Sequence, residues 1–405
     1  GVVLGTSHHE PLVRAHVEWS LYGDGPWDYS KNAETLRAFW REGMERSAGQ
    51  EKLVTIGMRG DGDEAMSEEA DIALLERIVA DQREIIAEVT GEPAEHTPQV
   101  WALYKEVQEY YDRGMRVPED VTLLLCDDNW GNIRRLPPAD ADARAGGYGV
   151  YYHFDYVGGP RNYKWLNVTQ VSRVWEQMRL AYAHGVDRLW VVNVGDIKPM
   201  ELPISFFLDL AWDPESISAD DLSRWTRDWA AGQFPGEFAG EIADLLTGYT
   251  NLNSRRNPEM LSPEIYSLTA YREWERVVDE WSALVARTEA VARALPDDYA
   301  DAFWQLVRYP VLACANLNEL YHTVALNRWH AEQGRAGTNR LAARARELFA
   351  RDAELARIYN EDVADGKWRH MMDQSNIGYT YWQQPDADAM PEVRDKCSEA
   401  LNTVK

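Results

Sequence analysis

The chain is poor in several features, and each shortage excludes a class of protein. Among its 405 residues there are three cysteines, Cys126, Cys314 and Cys397. They lie far apart, without metal-ligand spacing or a disulfide framework. No run of eighteen apolar residues exists, so no helix is expected to span a membrane. No glycine-rich phosphate loop follows a strand pattern, and no HExxH pair sits on a helix pattern. Basic residues are outnumbered, 42 against 67 acidic, for a net charge of −25. Such a chain is repelled by nucleic acid and by anionic membrane surfaces, which argues against both as partners. A local basic contact to a single carboxylate stays open. No charged leader or cleavage-site pattern precedes the apolar stretch Gly1–Gly5, so the true N-terminus is expected to lie upstream.

Aromatic residues are plentiful, with 17 Trp and 20 Tyr. Such rings fill cores and also stack on sugar faces. The first half of the chain repeats one theme, a short apolar run that ends in polar residues. Gly1–Ser7 leads into His8, His9 and Glu10. Lys52–Met58 leads into Arg59, Asp61, Asp63 and Glu64. Val121–Cys126 leads into Asp127, Asp128, Asn129 and Trp130. Gly149–Tyr152 leads into His153, Asp155 and Tyr156, and Leu189–Val194 into Asp196 and Lys198. Continuous apolar runs of this length suit strands buried on both faces, as in parallel sheets. Between them, Ile72, Leu75, Val79 and Ile86 fit one helical face, begun by Ser67, Glu68 and Glu69. Val171, Val174, Trp175, Met178 and Tyr182 fit another, stopped by Gly185.

Strand, polar loop and helix in alternation is the α/β pattern. Five units are visible and a closed (β/α)8 barrel of TIM type needs eight, so about three are expected upstream. An open doubly wound sheet is the alternative. In either architecture residues just after the strands gather on one face, which holds the site. After residue 200 the texture turns helical, with Ile204, Phe207, Leu208 and Ala211 on one face and long periodic stretches at 271–295, 301–327 and 338–359. The expected organisation is a partial barrel over 1–200, an all-α helical bundle over 201–385, and a linker or tail over 386–405.

The cluster from Arg59 to Glu64 is the most informative. Three carboxylates sit beside an arginine, and glycines free the backbone. A carboxylate pair is what glycoside hydrolysis requires, and an arginine binds a carboxylate bidentately. A charged surface turn is the bland alternative. Asp127, Asp128, Asn129 and Trp130 could hydrogen-bond sugar hydroxyls or brace the barrel rim, and His153, Asp155 and Tyr156 stand in the same position one strand later. His8, His9 and Glu10 suggest sugar contact, a hydrogen-bonded rim histidine, or a metal held from several strand ends. Asn167-Val168-Thr169 matches a glycosylation acceptor, but a role at the start of a helix explains it equally well.

Several longer stretches resemble glycoside hydrolase family 115, the xylan α-1,2-glucuronidases. They are GTSHHEP (5–11), TIGMRGDGDE (55–64), LYKEVQEYYDRG (103–114), LLCDDNWGNIRRLP (124–137), GGYGVYYHFDYVGGPRNYKW (146–165) and WVVNVGDIKPME (190–201). The helical half continues the likeness with SRRNPE (254–259), LVRYPVLACANLNELY (306–321) and GKWRHMMDQSNIGYTYWQQP (366–385). The resemblance implies an inverting hydrolase that removes glucuronic acid, or its 4-O-methyl ether, from xylan. It implies Glu106 as general acid, Asp63 as base and Arg59 as the ligand of the uronate carboxylate. Asp127, Asn129, Tyr156, His9 and Trp130 are implied or read as further substrate contacts. Periodicity alone would not select Glu106, because Trp101, Tyr104, Val107 and Tyr111 mark a helical face that leaves it out. Asn376 stands where the resemblance implies a histidine.

Inversion predicts that the two carboxyl groups lie roughly 6.5–9.5 Å apart, leaving room for a water. No cofactor and no metal is expected. The expected partner is glucuronoxylan or its oligosaccharides, the full-length protein is expected to be a homodimer, and the polymeric substrate implies a secreted or periplasmic location. Two other functions are carried forward: a catalytically silent carbohydrate-binding barrel, and a metal-dependent hydrolase using His8 and His9. This stretch alone is expected to be inactive, since an open barrel exposes unpaired strand edges.

Overall fold

The computed structural model describes residues 2–61, 65–66, 72–138, 144–380 and 383–395. The chain forms two compact units. One comprises residues 1–152 with 177–192, the other residues 153–176 with 193–405.

The first unit carries a parallel sheet. Its strands are β1 (Val54–Thr55), β2 (Gln99–Leu103), β3 (Thr122–Cys126), β4 (Tyr148–His153) and β5 (Leu189–Asn193), paired in chain order. Only the terminal residues His153 and Asn193 fall in the second unit. Val54 pairs with Gln99, Leu103 with Leu125, and Cys126 with Tyr151. Pairing in sequence order, with helices between strands, is the curled sheet of a partial (β/α) barrel. Every residue of β2 and β3 is buried, which is why these runs carry no polar alternation.

Two sequence expectations are corrected here. The Trp101–Tyr111 stretch is not one helix: Gln99–Leu103 is strand β2, and only Glu106–Asp112 is helical. Its β-branched and aromatic residues are buried on both sides, so packing overrides the helical spacing. The run Gly1–Ser7 forms no full strand among the described residues. It contributes a single parallel bridge, Leu4 to Lys52, beside β1.

The helices of the first unit begin with α1 (Val17–Tyr22), α2 (Tyr29–Arg46), α3 (Ile72–Thr90) and α4 (Glu106–Asp112). Asp28 caps α2 by accepting from the Ser30 amide at 2.9 Å, as an N-cap aspartate should. Leu36, Phe39 and Trp40 of α2 are buried, as are Leu75, Ile78, Ile85 and Ile86 of α3, against which α2 packs. The expected helix start at Ser67–Glu69 lies outside the described residues. One polar side chain of α3 faces inward. Gln82, fully buried, donates to the Gly57 carbonyl at 2.8 Å and accepts from the Gly57 amide at 2.7 Å. Gly57 has φ of 94°, and a Cβ there would lie 2.3 Å from the Trp101 indole nitrogen. Glycine alone fits.

The next helix, α5, spans Val171–Ala183. The second unit is helical from α6 (Glu201–Trp212) through α7 (Leu222–Gln233), α8 (Gly236–Arg255), α9 (Glu273–Ala294), α10 (Ala300–Phe303), α11 (Tyr309–Glu332) and α12 (Thr338–Arg357). π-helical turns at Trp304–Arg308 and Ile358–Asp362 adjoin the last two. Helix α11 packs against α8, α9 and α12, and its buried residues occur all round it, as expected of a helix enclosed by others. Fully buried Trp274, Leu317, Leu320, Val324 and Leu348 lie in this core. Burying each aliphatic side chain contributes about 1.5–3 kcal/mol.

Asn167 is not a surface glycosylation site. It is 2% exposed, donates to the Tyr249 hydroxyl at 2.9 Å and accepts from the Thr169 amide at 2.9 Å. Its side chain closes a local turn before α5.

Candidate active site

The strand ends of the first unit bring a set of polar and aromatic side chains together. Past β1, the chain turns at Gly57 and delivers Arg59, which is 4% exposed. Past β2, it delivers Tyr104, Lys105 and then Glu106, the first residue of α4. Arg59 donates from Nε to Glu106 Oε1 at 3.1 Å and from Nη2 to Glu106 Oε2 at 3.0 Å. This is the fork-to-fork geometry in which guanidinium and carboxylate match best. The Arg59 guanidinium also lies 5.2 Å from the centre of the Tyr104 ring, within cation–π range. The Trp27 indole donates to the Arg59 carbonyl at 2.9 Å and fixes its backbone.

Glu106 reaches Arg59 because Lys105 adopts φ 48° and ψ −117°. That is the conformation of the first central residue of a type II′ turn, where glycine is normal. A lysine there holds backbone strain, and strain of this kind concentrates at functional sites. Relieving it has a measurable result. Lys105→Gly is expected to raise the thermal stability of the chain by about 1 kcal/mol, less the entropic cost of a glycine in the unfolded chain. Differential scanning calorimetry of the two proteins checks this, and a stability loss would mean the lysine side chain contributes more than its backbone costs.

The N-terminal segment supplies the other wall. The His8 ring lies 4.7 Å from Tyr104 and 5.3 Å from Tyr151 of β4, centre to centre. His9 neighbours His8 at 5.0 Å and His16 at 6.0 Å, and His16 Nε2 is 3.3 Å from the Asp61 carboxylate. Ser7 Oγ lies 3.3 Å from His8 Nδ1 and 3.1 Å from His9 Nδ1. Glu10 holds the segment's backbone, accepting from the His16 and Ser7 amides. Among the described residues, no three His, Cys, Asp or Glu side chains gather as a metal site would.

Past β3, Asp127 and Asn129 are buried, at 5% and 6% exposure. Burial pushes the neighbouring Cys126 thiol well up; Asp127 adds to this and Arg59 opposes it. The ends of β1 and β3 thus share one electrostatic environment. Asp128 has a different task. Its carboxylate accepts from the Trp130 and Asn132 amides at 2.9 and 3.0 Å and folds the loop. Trp130 stands half-exposed. Asp63, the expected base, lies outside the described residues.

Tyr156 belongs to the second unit. It is buried beside His153, ring centres 4.3 Å apart. Its amide and carbonyl are paired with those of Tyr163 at 2.9 and 3.1 Å. Between them in sequence, Asp155 is 8% exposed, and burial pushes its carboxyl up to about 6. Lys164 and His153 oppose that shift, while Glu259 and Asp196 add to it. Glu259 is also pushed up by burial, although it accepts from the Lys164 and Trp165 amides. Gly195, at φ 60°, lets Asp155 approach: a Cβ there would lie 2.6 Å from Asp155 Oδ2.

The structure therefore joins Arg59 and Glu106 directly and brings His8, His9 and Tyr104 into the same neighbourhood. Tyr151, His16 and the strained Lys105 escaped the sequence reading. Tyr151 sits inside an apolar run and His16 lies apart from the histidine pair, so neither carries a signal of its own.

A partial parallel barrel with an arginine–carboxylate pair at its strand ends is a frame met among sugar-cleaving enzymes. The chain belongs to glycosyl hydrolase family 115, whose model matches residues 1–260. Its structure is similar to that of BtGH115A, a family GH115 4-O-methyl-alpha-glucuronidase with specificity for decorated arabinogalactans. The TM-score is 0.83 at 31% identity, over 98% of this chain and 54% of that one. The chain thus spans about half the length of that relative. No match is found among curated proteins.

Proposed function

We propose that this chain is part of a glycoside hydrolase that releases glucuronic acid, or its 4-O-methyl ether, from a decorated polysaccharide. The bidentate Arg59–Glu106 pair carries the reading. It joins a buried guanidinium, already donating to a carboxylate in planar geometry, to an acid positioned just past the end of the next strand. A uronate carboxylate meets Arg59 in the same way by replacing Glu106, which then turns to the leaving oxygen carrying the proton it donates. In the proposed reaction Glu106 protonates the leaving sugar oxygen. Asp63 removes a proton from the attacking water, and the anomeric configuration inverts. Asp127, Asn129, His9 and Trp130 of the first unit are proposed to contact the sugar, and Tyr156 is proposed as a separate glycan contact of the second unit.

The proposed linkage is the α-1,2 bond to xylose of glucuronoxylan, on the motif resemblance. The arabinogalactan specificity of BtGH115A makes decorated arabinogalactan the competing glycan. A polymeric substrate supports secretion or a periplasmic location, and we propose a homodimer for the full-length enzyme. The test is a time course of the full-length enzyme on each polysaccharide, followed by proton NMR of the released uronic acid. Early appearance of the β-anomer from glucuronoxylan is expected. Early α-anomer would replace the mechanism, and release from arabinogalactan alone would replace the substrate. The present chain by itself is expected to release nothing.

A further inference from the structure

A cleft of about 490 Å³ opens on the second unit, lined by Val157, Asn162, Lys164, Gln383, Gln384 and Pro385 among others. None of these residues has a part in the proposed bond cleavage. The cleft nevertheless adjoins the hairpin that carries Tyr156, since Val157 follows Tyr156 and Lys164 follows its backbone partner Tyr163.

Its chemistry points to a class of ligand. Two exposed side-chain amides, Gln383 and Gln384, offer donors and acceptors of the kind a partner rich in hydroxyls requires, while buried Asn162 braces the wall by accepting from the Gly158 amide. The Lys164 ammonium is hydrogen-bonded to the Gln384 side-chain carbonyl. Behind it lie two buried carboxylates, Asp155 and Glu259, which both act on it electrostatically. Arg161 also acts on Glu259, so two cations face two carboxylates with no surplus positive charge, and an anionic ligand is disfavoured. The exposed Val157, together with Pro385, supplies an apolar surface for the C–H face of a ring.

We propose that this cleft is a subsite for neutral main-chain pyranoses of the glycan, a reading that rests on the glucuronidase assignment. Xylose and galactose chains share the chemistry it recognises, and the test separates them. The full-length enzyme is titrated with xylotetraose, with a β-linked galactotetraose and with free glucuronic acid, followed by calorimetry or ligand-observed NMR. One neutral tetraose is expected to bind, and its identity names the main chain. Gln383→Ala, at an exposed residue that folding does not require, is expected to weaken that binding about fivefold, as does Lys164→Met, the effect of losing one hydrogen bond. Glucuronic acid affinity is expected to be unchanged by both and lost in Arg59→Ala. Failure of both tetraoses to bind, or equal affinity in Gln383→Ala, overturns the subsite. Weaker glucuronic acid binding in Lys164→Met also overturns it, by making the cleft an anion site. If a tetraose binds as expected while glucuronic acid does not, the cleft stands and the glucuronidase reading falls.

Discussion

Glu106→Gln in the full-length enzyme is expected to lower turnover of a decorated polysaccharide by about 10²–10⁴-fold, the range for loss of one acid–base group. Stability should fall modestly as well. Glutamine keeps an oxygen for Arg59, although the buried guanidinium loses its charged partner, and a partly exposed pair of this kind is worth about 1–3 kcal/mol. The informative comparison uses an aryl glucuronide whose phenolate departs without being protonated. Because Glu106 is assigned to the leaving group, this substrate should be cleaved by the variant almost as fast as by the parent. Asp63→Asn should slow both substrates alike, since activation of water is needed in either case. If Glu106→Gln slowed the two substrates equally, Glu106 would be a partner that orients Arg59, and the acid would be another group.

A second large effect is expected far from the sugar chemistry. Asp352 on α12 is 5% exposed, and among the described residues its carboxylate accepts side-chain hydrogen bonds from the Asn376 amide alone, at 3.3–3.4 Å. Burial pushes its carboxyl up to about 7, Asp388 adds to the shift, and Asn376 opposes it. A carboxyl whose affinity for protons is higher in the folded state stabilises the fold where it is protonated. That contribution is complete below the ordinary value of 3.8 and is lost as pH rises through about 7. At about 1.4 kcal/mol per pH unit across the window, the parent should lose roughly 3 kcal/mol between pH 5 and pH 8 on account of this group. Asp352→Asn removes the charge and keeps the shape, so it should be the more stable protein at pH 8, with an advantage over the parent that narrows by roughly 3 kcal/mol on going down to pH 5. Urea unfolding of both proteins across that range checks the difference. Parallel curves would mean that Asp352 stays ionised throughout.

Much of this was legible in the order of residues, and the exceptions have physical causes. The runs ending at Cys126, Tyr152 and Val194 announced strands because each is apolar without interruption. The strand Gln99–Leu103 was hidden because Trp101, Tyr104 and Val107 happen to share helical spacing across a strand–helix junction. Arg59 could be singled out from a charged turn at a strand end. Glu106 could not, since its partner lies 47 residues away and the bond depends on the unusual backbone of Lys105. Asp127 and Asp128 look alike as letters, yet one sits in the environment of Arg59 and the other folds its own loop. Asn167 reads as an acceptor of glycans in isolation and is closed off only once Tyr249 packs against it.

The amide of Gln82 gives α3 a reach that its surface does not reveal. β1 has only two ladder residues, and just beyond them Gln82 supplies both the donor and the acceptor that a neighbouring strand would otherwise offer to Gly57. Two residues later comes Arg59. The position of the guanidinium is therefore governed from outside the sheet, by the seating of a helix. Substitutions on the underside of α3 are expected to retune how Arg59 grips the proposed uronate without altering any group assigned to touch it.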